Sequence, residues 1–234
     1  MIDLHGYGPR FLAGMLTTAE LALASLALAF SLGLVLASAR LSRSRTIYAL
    51  ATGYINFVRG VPPLVMLMLG YYGGQVLLNQ LLRTINPLLG VDWFINIQPL
   101  AAGIIIIGMI YAAYMSETFR GAFLAVDAGQ MEAAQAFGMS GRLAFRRIRF
   151  PLMMRHALPG LSNNWMVLLK ATALVSIIGL SGMVHVADQG VRDTHQPFLF
   201  LLPVAAVYLL MTTVSELIIA GLQRRFEIGV KSVH

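Results

Sequence analysis

The stretch EAAQAFGMSGRLAFRRIRFP, residues 132–151, interrupts a chain built mostly of long apolar runs. Arg142, Arg146, Arg147 and Arg149 crowd its second half, and Arg155 follows shortly after. Its first half has helix-forming composition, and Gly138 is suited to end that helix in the left-handed conformation. A second helical stretch is expected from about Ser140 to Arg149, with Pro151 as its stop. Ala133, Ala134 and Phe137 stand at i, i+1 and i+4 and form a small apolar face. A helix-turn-helix with such a face needs a partner, either lipid headgroups, which its arginines suit, or another protein. The small alanines favour close contact with a protein.

The residues around this insert call for a bilayer as solvent. Hydrophobic residues make up 58% of the 234 and charged residues 12%, with a mean hydropathy of +0.74. Several runs reach the roughly 20 residues that cross a hydrocarbon core of about 30 Å. The first, 11–39, contains no lysine or arginine. Ala37, Ser38 and Ala39 mimic a signal-peptidase site, but the run is longer than a signal peptide's apolar region and Arg40, Arg43 and Arg45 follow it, so an uncleaved span is expected. The run 47–82 would measure about 54 Å as one straight helix. It must bend or break, and Pro62 and Pro63 after Gly60 supply the break, since proline removes a backbone donor and disfavours helix at the residue before it. Further spans are expected at 99–117, 161–184 and 197–221. The chain is thus read as an all-α membrane protein, one transmembrane domain over 1–234, with about five spans.

The positive charge is concentrated between the runs. Of 17 Lys+Arg, twelve lie after the first run, between the third and fourth, or in the tail, against Arg10, Arg83 and Arg192 in the other connections. The positive-inside rule then places the N-terminus outside, and the C-terminus and the loop 128–156 in the cytoplasm. A formal charge of +7 could suit nucleic acid, but no basic stripe with interleaved aromatics exists, so no nucleic acid is expected. With no cysteine there is no disulfide or thiolate metal site. His5, His156, His185, His195 and His234 lack ligand spacing, and no metal is expected. A phosphate-binding loop requires Gly-Lys-Ser or Gly-Lys-Thr. The two lysines are Lys170, followed by Ala171, and Lys231, preceded by Val230. The chain therefore carries no ATPase motif and no nucleophile–base arrangement, and is read as a non-enzyme with no cofactor of its own.

Ionisable groups inside apolar runs cost roughly 2.5–3.5 kcal/mol on insertion scales and by default mark pathways or paired networks. Arg59 lies directly before the proline break, near mid-span, where its planar fork suits the carboxylate of an amino acid or the carbonyls freed by the prolines. Lys170 is also near mid-span, and either meets a ligand, snorkels or pairs with an acid of a neighbouring subunit. Glu117 could accept a cationic side chain, though Arg120 is its natural helical partner. Glu20 and Glu216 read as network or interface residues. Asn56, Asn164, Thr172 and Ser176 are uncharged candidates for lining a pore.

Glu132, Ala133, Ala134, Gly138 and the run Ile148 to Pro151 resemble the cytoplasmic signature of inner-membrane permeases of bacterial ATP-binding-cassette (ABC) importers: Glu-Ala-Ala, three residues, Gly, nine residues, Ile-x-Leu-Pro. Phe150 stands where leucine is usual. GYINFVRGVPPLVMLM is similar to an element of the polar amino-acid uptake branch, and ETFRGAF and NNWMVLLKATALVSIIGL extend the likeness over most of 11–230. The whole chain looks most like Q-type permeases of histidine/lysine/arginine/ornithine, octopine and arginine importers.

The resemblance implies a multi-pass subunit of the bacterial inner membrane, moving polar and in particular basic amino acids by alternating access. It implies a second homologous permease as heterodimer partner, two ATPase copies that bind ATP and Mg, and a periplasmic substrate-binding protein. Glu132, Ala133, Ala134, Phe137, Gly138, Ile148 and Pro151 would then couple to the ATPase. The rival reading is a secondary transporter or channel working without an ATPase. It predicts inverted repeats or an ion-coupling site, and neither is evident.

The charge asymmetry yields a topology test. A reporter active only in the cytoplasm is expected to work when fused near Gly129 or after Val230 and to fail near Leu88 or Gly190. Cytoplasmic activity at Leu88 overturns the map.

Overall fold

A computed structural model of the chain describes residues 4–227; Val230, Lys231 and His234 lie outside them. Among the described residues the regular structure is entirely helical, and four helices are long and apolar enough to cross a membrane, or five if a bent pair counts as one span.

Helix α1, Gly8–Arg40, starts with a proline in its first turn and ends on an arginine, placements that suit the two ends of a helix. Its inward stripe is made of small residues: Gly14, Thr18, Ala22, Ser25, Ala29, Gly33 and Ala37 are all buried. Such a stripe lets backbones approach closely where apolar burial alone gives no drive for helices to associate. The helix that approaches is α5, Pro99–Leu124. A Cβ added at Gly33 would lie 3.0 Å from Met115, and one added at Gly108 would lie 2.6 Å from a methyl carbon of Leu28. Phe30 and Phe119 meet edge to face at 5.1 Å.

Between these two helices the chain turns sharply. Helix α2, Arg45–Gly60, ends at an extended Val61 before Pro62. The next arm comprises α3, Pro63–Met68, a wide π turn at Leu69–Gly73 and α4, Gly74–Leu89. The two arms are bent by 109°, so the run 47–82 is no single kinked rod. After Gly90, in the left-handed conformation, the chain returns without regular structure, and side chains of α4 satisfy part of its backbone. Ile95 N donates to Asn79 Oδ1 at 3.0 Å and Ile97 N to Gln75 Oε1 at 2.7 Å, while Asn79 Nδ2 and Asn86 Nδ2 donate to the carbonyls of Ile95 and Trp93, each at 2.9 Å.

Helix α6, Ala128–Ala136, stands at the Leu124 end of α5. Its carboxylate cap is Asp127, which accepts from Gly129 N at 2.6 Å. After it come α7, Gly141–Ala144, a π turn at Phe145–Arg149, α8, Phe150–Ala171, and a 3₁₀ segment, Thr172–Ile178. These join into one helical run, Gly141–Ile178. Pro151 therefore does not stop the second stretch. It falls in the first turn after the widened π turn, where the usual clash of a proline ring with the carbonyl four residues back is relieved. The same run ends at Gly179, whose φ of +87° breaks the helix, so the fourth span stops short of Val184. Val184 belongs to α9, Met183–Thr194, a short helix seated on the start of α1. There Met183 N donates to Thr18 Oγ1 at 3.2 Å. The Tyr7 hydroxyl bonds the Asp193 carboxylate, which raises the pKa of the phenol.

The last helix, α10, runs Pro197–Glu227. Phe200 is buried against Gly190 of α9, but only 11% of the apolar core of α10 is covered by the rest of the chain, against 56% for α5. Leu209, Leu210 and Leu217 stand exposed.

Close packing of α1 on α5 gives a direct test. Gly108→Leu is expected to lower stability by about 1–3 kcal/mol through overpacking, read as a lower unfolding temperature in detergent. Gly53, with open space around it, is the control: Gly53→Leu should leave the temperature within a degree or two.

Candidate functional site

Three helices bring charge together around one carboxylate. Glu117, on α5, accepts from Arg120 on its own helix through Nε and Nη2 at 3.2 and 3.0 Å. It is also bonded by Arg40, the last residue of α1. Arg59, from the last turn of α2, places Nη1 4.0 Å away and lays its guanidinium over the Tyr114 ring at 5.6 Å. Glu117 and Arg40 are largely buried, whereas the Arg59 side chain is 46% exposed. One acid thus faces three cations, and Arg59 is the one held loosely.

The sequence places Arg59 near mid-span. In the structure its guanidinium approaches the same carboxylate that Arg40, the last residue of α1, bonds, and the chain turns by 109° directly after it. Pairing of Glu117 with Arg120 is found as the i, i+3 spacing implies. Arg40 as a second partner is not legible in the sequence, since it depends on where α1 ends against α5.

The other candidates fall in separate places. Asn56 is exposed on α2, one turn before Arg59. Asn164 donates to Thr118 Oγ1 at 3.0 Å, next to Glu117 in the chain. Thr172 is buried, donating to Leu169 O at 2.6 Å and lying 3.1 Å from the Tyr208 hydroxyl. Lys170 is exposed, with no carboxylate at ion-pair distance among the described residues. Ser176 bonds its own helix and its carbonyl faces His185. Glu20 and Glu216 are exposed on the outside of the bundle. The structure therefore joins Arg59 and Glu117 directly and leaves Lys170 and Thr172 more than a turn of α8 beyond Asn164.

The second site is the 132–151 element. Gly138 has a φ of +75°. Its N–H donates to Gln135 O at 2.9 Å and Met139 N donates to Ala134 O at 3.0 Å, the paired bonds of a left-handed C-terminal cap. Just before it Phe137 is 86% exposed, with Ala133 one turn back also outward. Ala134 differs from the expected face: it is buried against its own chain, because i and i+1 diverge by about 100° on a helix. Ile148 and Pro151 are half-buried, and Glu132 lines a recess of about 290 Å³ with Gln135 and Arg149. The Arg149 guanidinium stacks on Phe123 at 5.8 Å.

A polytopic helical bundle with a broken second arm, a charged cluster among its helices and an uncovered helix-turn-helix at one end defines a membrane transport subunit. The chain belongs to the family of binding-protein-dependent transport system inner membrane components, whose model matches residues 29–228. It is 48% identical over 228 residues to the HisQ permease protein of the histidine/lysine/arginine/ornithine transport system of Salmonella typhimurium, covering 97% of this chain and 98% of that one. It is 39% identical to the octopine transport permease OccQ of Rhizobium meliloti, over 92% of this chain and 91% of that one. Its fold matches the crystal structure of an amino acid ABC transporter with histidines, with a TM-score of 0.76, 31% identity and coverage of 94% and 95%. The protein is an inner-membrane permease of the ABC type.

Removing the central acid leaves Arg40, 14% exposed, beside Arg120 with no counter-charge. Glu117→Gln is expected to cost about 3 kcal/mol, seen as a lower unfolding temperature of the purified complex, and Glu117→Asp to recover part of it. Wild-type stability of Glu117→Gln overturns the role of Glu117 as the tie between α1 and α5.

Proposed function

We propose that this chain is the permease subunit of an importer for polar, basic L-amino acids such as histidine, arginine, lysine and ornithine. The likeness to HisQ and OccQ over nearly the whole chain supports this substrate class. The observation that carries the mechanism is the exposed Phe137 beside the capped turn at Gly138: an aromatic side chain of this size, uncovered next to small alanines, fits a pocket on another protein. That protein is the ATPase subunit, present in two copies and holding ATP and Mg. A second homologous permease completes the membrane unit and covers the bare face of α10, and a periplasmic binding protein delivers the amino acid. The excess of arginine at the 132–151 end supports a cytoplasmic location for it, with the N-terminus outside.

In this reading the ATPase moves Glu132, Ala133, Ala134, Phe137, Gly138, Ile148 and Pro151 as a block, and the run Gly141–Ile178 carries the motion between the spans. Arg59 exchanges its loose contact with Glu117 for the substrate carboxylate, while Glu117 keeps Arg40 and Arg120 in register and faces the cationic side chain. Asn56, Asn164, Lys170 and Thr172 line the path.

Two variants separate coupling from passage. Phe137→Asp should give an inserted permease that loses the ATPase on purification. Arg59→Lys keeps the charge but loses the fork, and should retain the ATPase and its basal ATP hydrolysis while uptake into proteoliposomes falls at least tenfold. Full ATPase retention by Phe137→Asp overturns the docking assignment, and normal uptake by Arg59→Lys overturns the carboxylate contact.

A further inference from the structure

An apolar cleft of about 370 Å³ opens between α1, α8 and α10, walled by Leu26, Phe30, Leu161, Trp165, Ile219 and Leu222 among others, with none of the Glu117 cluster in its lining. Along α8 its lining extends from Met154 to Trp165, about 16 Å at the helical rise. That is the depth of one leaflet, half of a hydrocarbon core of about 30 Å. The three helices are ordered consistently, with Phe30, Met154 and Leu222 toward the basic end of α10 and Leu23, Trp165 and Ser215 at the far end. The cleft therefore lies along the acyl-chain direction.

At its basic end the cleft adjoins a polar recess of about 290 Å³, lined by Arg155, Pro159 and Gln223 and sharing the wall residue Leu158. Arg155 is half-buried, and among the described residues no carboxylate lies within ion-pair distance of it. Pro159 has no N–H, so the Arg155 carbonyl lacks its donor from four residues on. Arg224 and Arg225 stand exposed at the end of α10 close by in the chain. The recess beside this chain-length apolar cleft is thus lined by an arginine with no carboxylate at ion-pair distance among the described residues, by the proline that deprives that arginine's carbonyl of its helical donor, and by an amide.

We propose that this is a binding site for an anionic phospholipid with a hydroxylated headgroup, of the phosphatidylglycerol type. Its phosphodiester accepts from Arg155 and Gln223, a headgroup hydroxyl donates to the Arg155 carbonyl, and one acyl chain fills the cleft. Charge complementarity selects this occupant over a zwitterionic lipid, which places a second cation beside Arg155, Arg224 and Arg225; a choline headgroup in addition has no hydrogen-bond donor for the carbonyl.

The test uses the assembled permease–ATPase complex in mild detergent, titrated with phosphatidylglycerol or phosphatidylcholine of identical acyl chains and followed by native mass spectrometry. The wild-type complex is expected to retain phosphatidylglycerol at least fivefold better. Arg155→Gln should retain one phosphatidylglycerol fewer per copy of this chain, and Ile219→Trp, which fills the cleft, should lose that lipid with Arg155 intact. Phosphatidylglycerol with a photoactivatable acyl chain requires no variant and should label 154–165 and 215–222. Equal retention of the two lipids, a preference untouched by Arg155→Gln, labelling confined to other helices, or a cross-link showing the companion permease seated in the cleft overturns the site.

Discussion

A backbone inside hydrocarbon has no water to bond, and each unsatisfied N–H or C=O there costs several kcal/mol. The architecture of this permease follows from how it meets that constraint. Where nothing interrupts the sequence, as in α1 and α5, the chain stays helical for 33 and 26 residues. Where it leaves the α-helix, another device takes over. The turn at Pro62 is followed at once by a new helix, the widened turns at Leu69–Gly73 and Phe145–Arg149 keep their bonds one residue further on, and the 91–98 segment borrows amides from Gln75, Asn79 and Asn86. The last two of these lie in what the sequence reads as connections outside the apolar runs, where the same bonding keeps the chain ends of the spans ordered.

Packing obeys a second rule. Burial of apolar area drives little helix association within lipid, so the tightest contact uses the smallest residues: the stripe from Gly14 to Ala37 on α1 and Gly103, Gly108 and Ala112 on α5. The charged cluster caps this interface. Glu117 draws Arg40 and Arg120 to the end where α1 and α5 separate, and the low exposure of the first two makes their pairing matter more than a surface ion pair would. α10 lies outside this scheme, with large side chains and little cover. Its bare apolar face suits a surface that meets lipid or another membrane protein.

Much of this was legible in the residues. Hydropathy located the apolar runs, the proline pair located the break, and Gly138 was recognisable as a cap because only a left-handed residue closes a helix between Phe137 and Met139 in that way. What escaped is three-dimensional. The approach of Arg59 to Glu117 depends on how α2 packs beside α5, which no local pattern encodes. Continuity through Pro151 depends on a π turn that looks like any other helical stretch in composition. The short helix α9 begins in the last two residues of an expected span and fills what reads as an outside connection with Asp188, Arg192 and Asp193, and the signal that separates it, Gly179 followed by Gly182, is a turn of two glycines. The Glu117 cluster was half visible: sequence spacing supplies Arg120, and tertiary structure supplies Arg40.

The unbroken run Gly141–Ile178 makes the 132–151 element more than a plug for a socket. A rod of 38 residues is roughly 57 Å long, longer than the apolar core is thick, and its first turns are the ones nearest the exposed Phe137. Had Pro151 ended a separate helix, a second joint would follow the one already present at Gly138, between Phe137 and the run. As a single lever pivoting near its middle, a tilt of about 5° moves each end by about 2–3 Å, in opposite directions. In the mechanism proposed above, such a rod would pass a displacement across the membrane to the 3₁₀ segment and Gly179, with Pro159, where one helical bond is missing, as the place where it can bend.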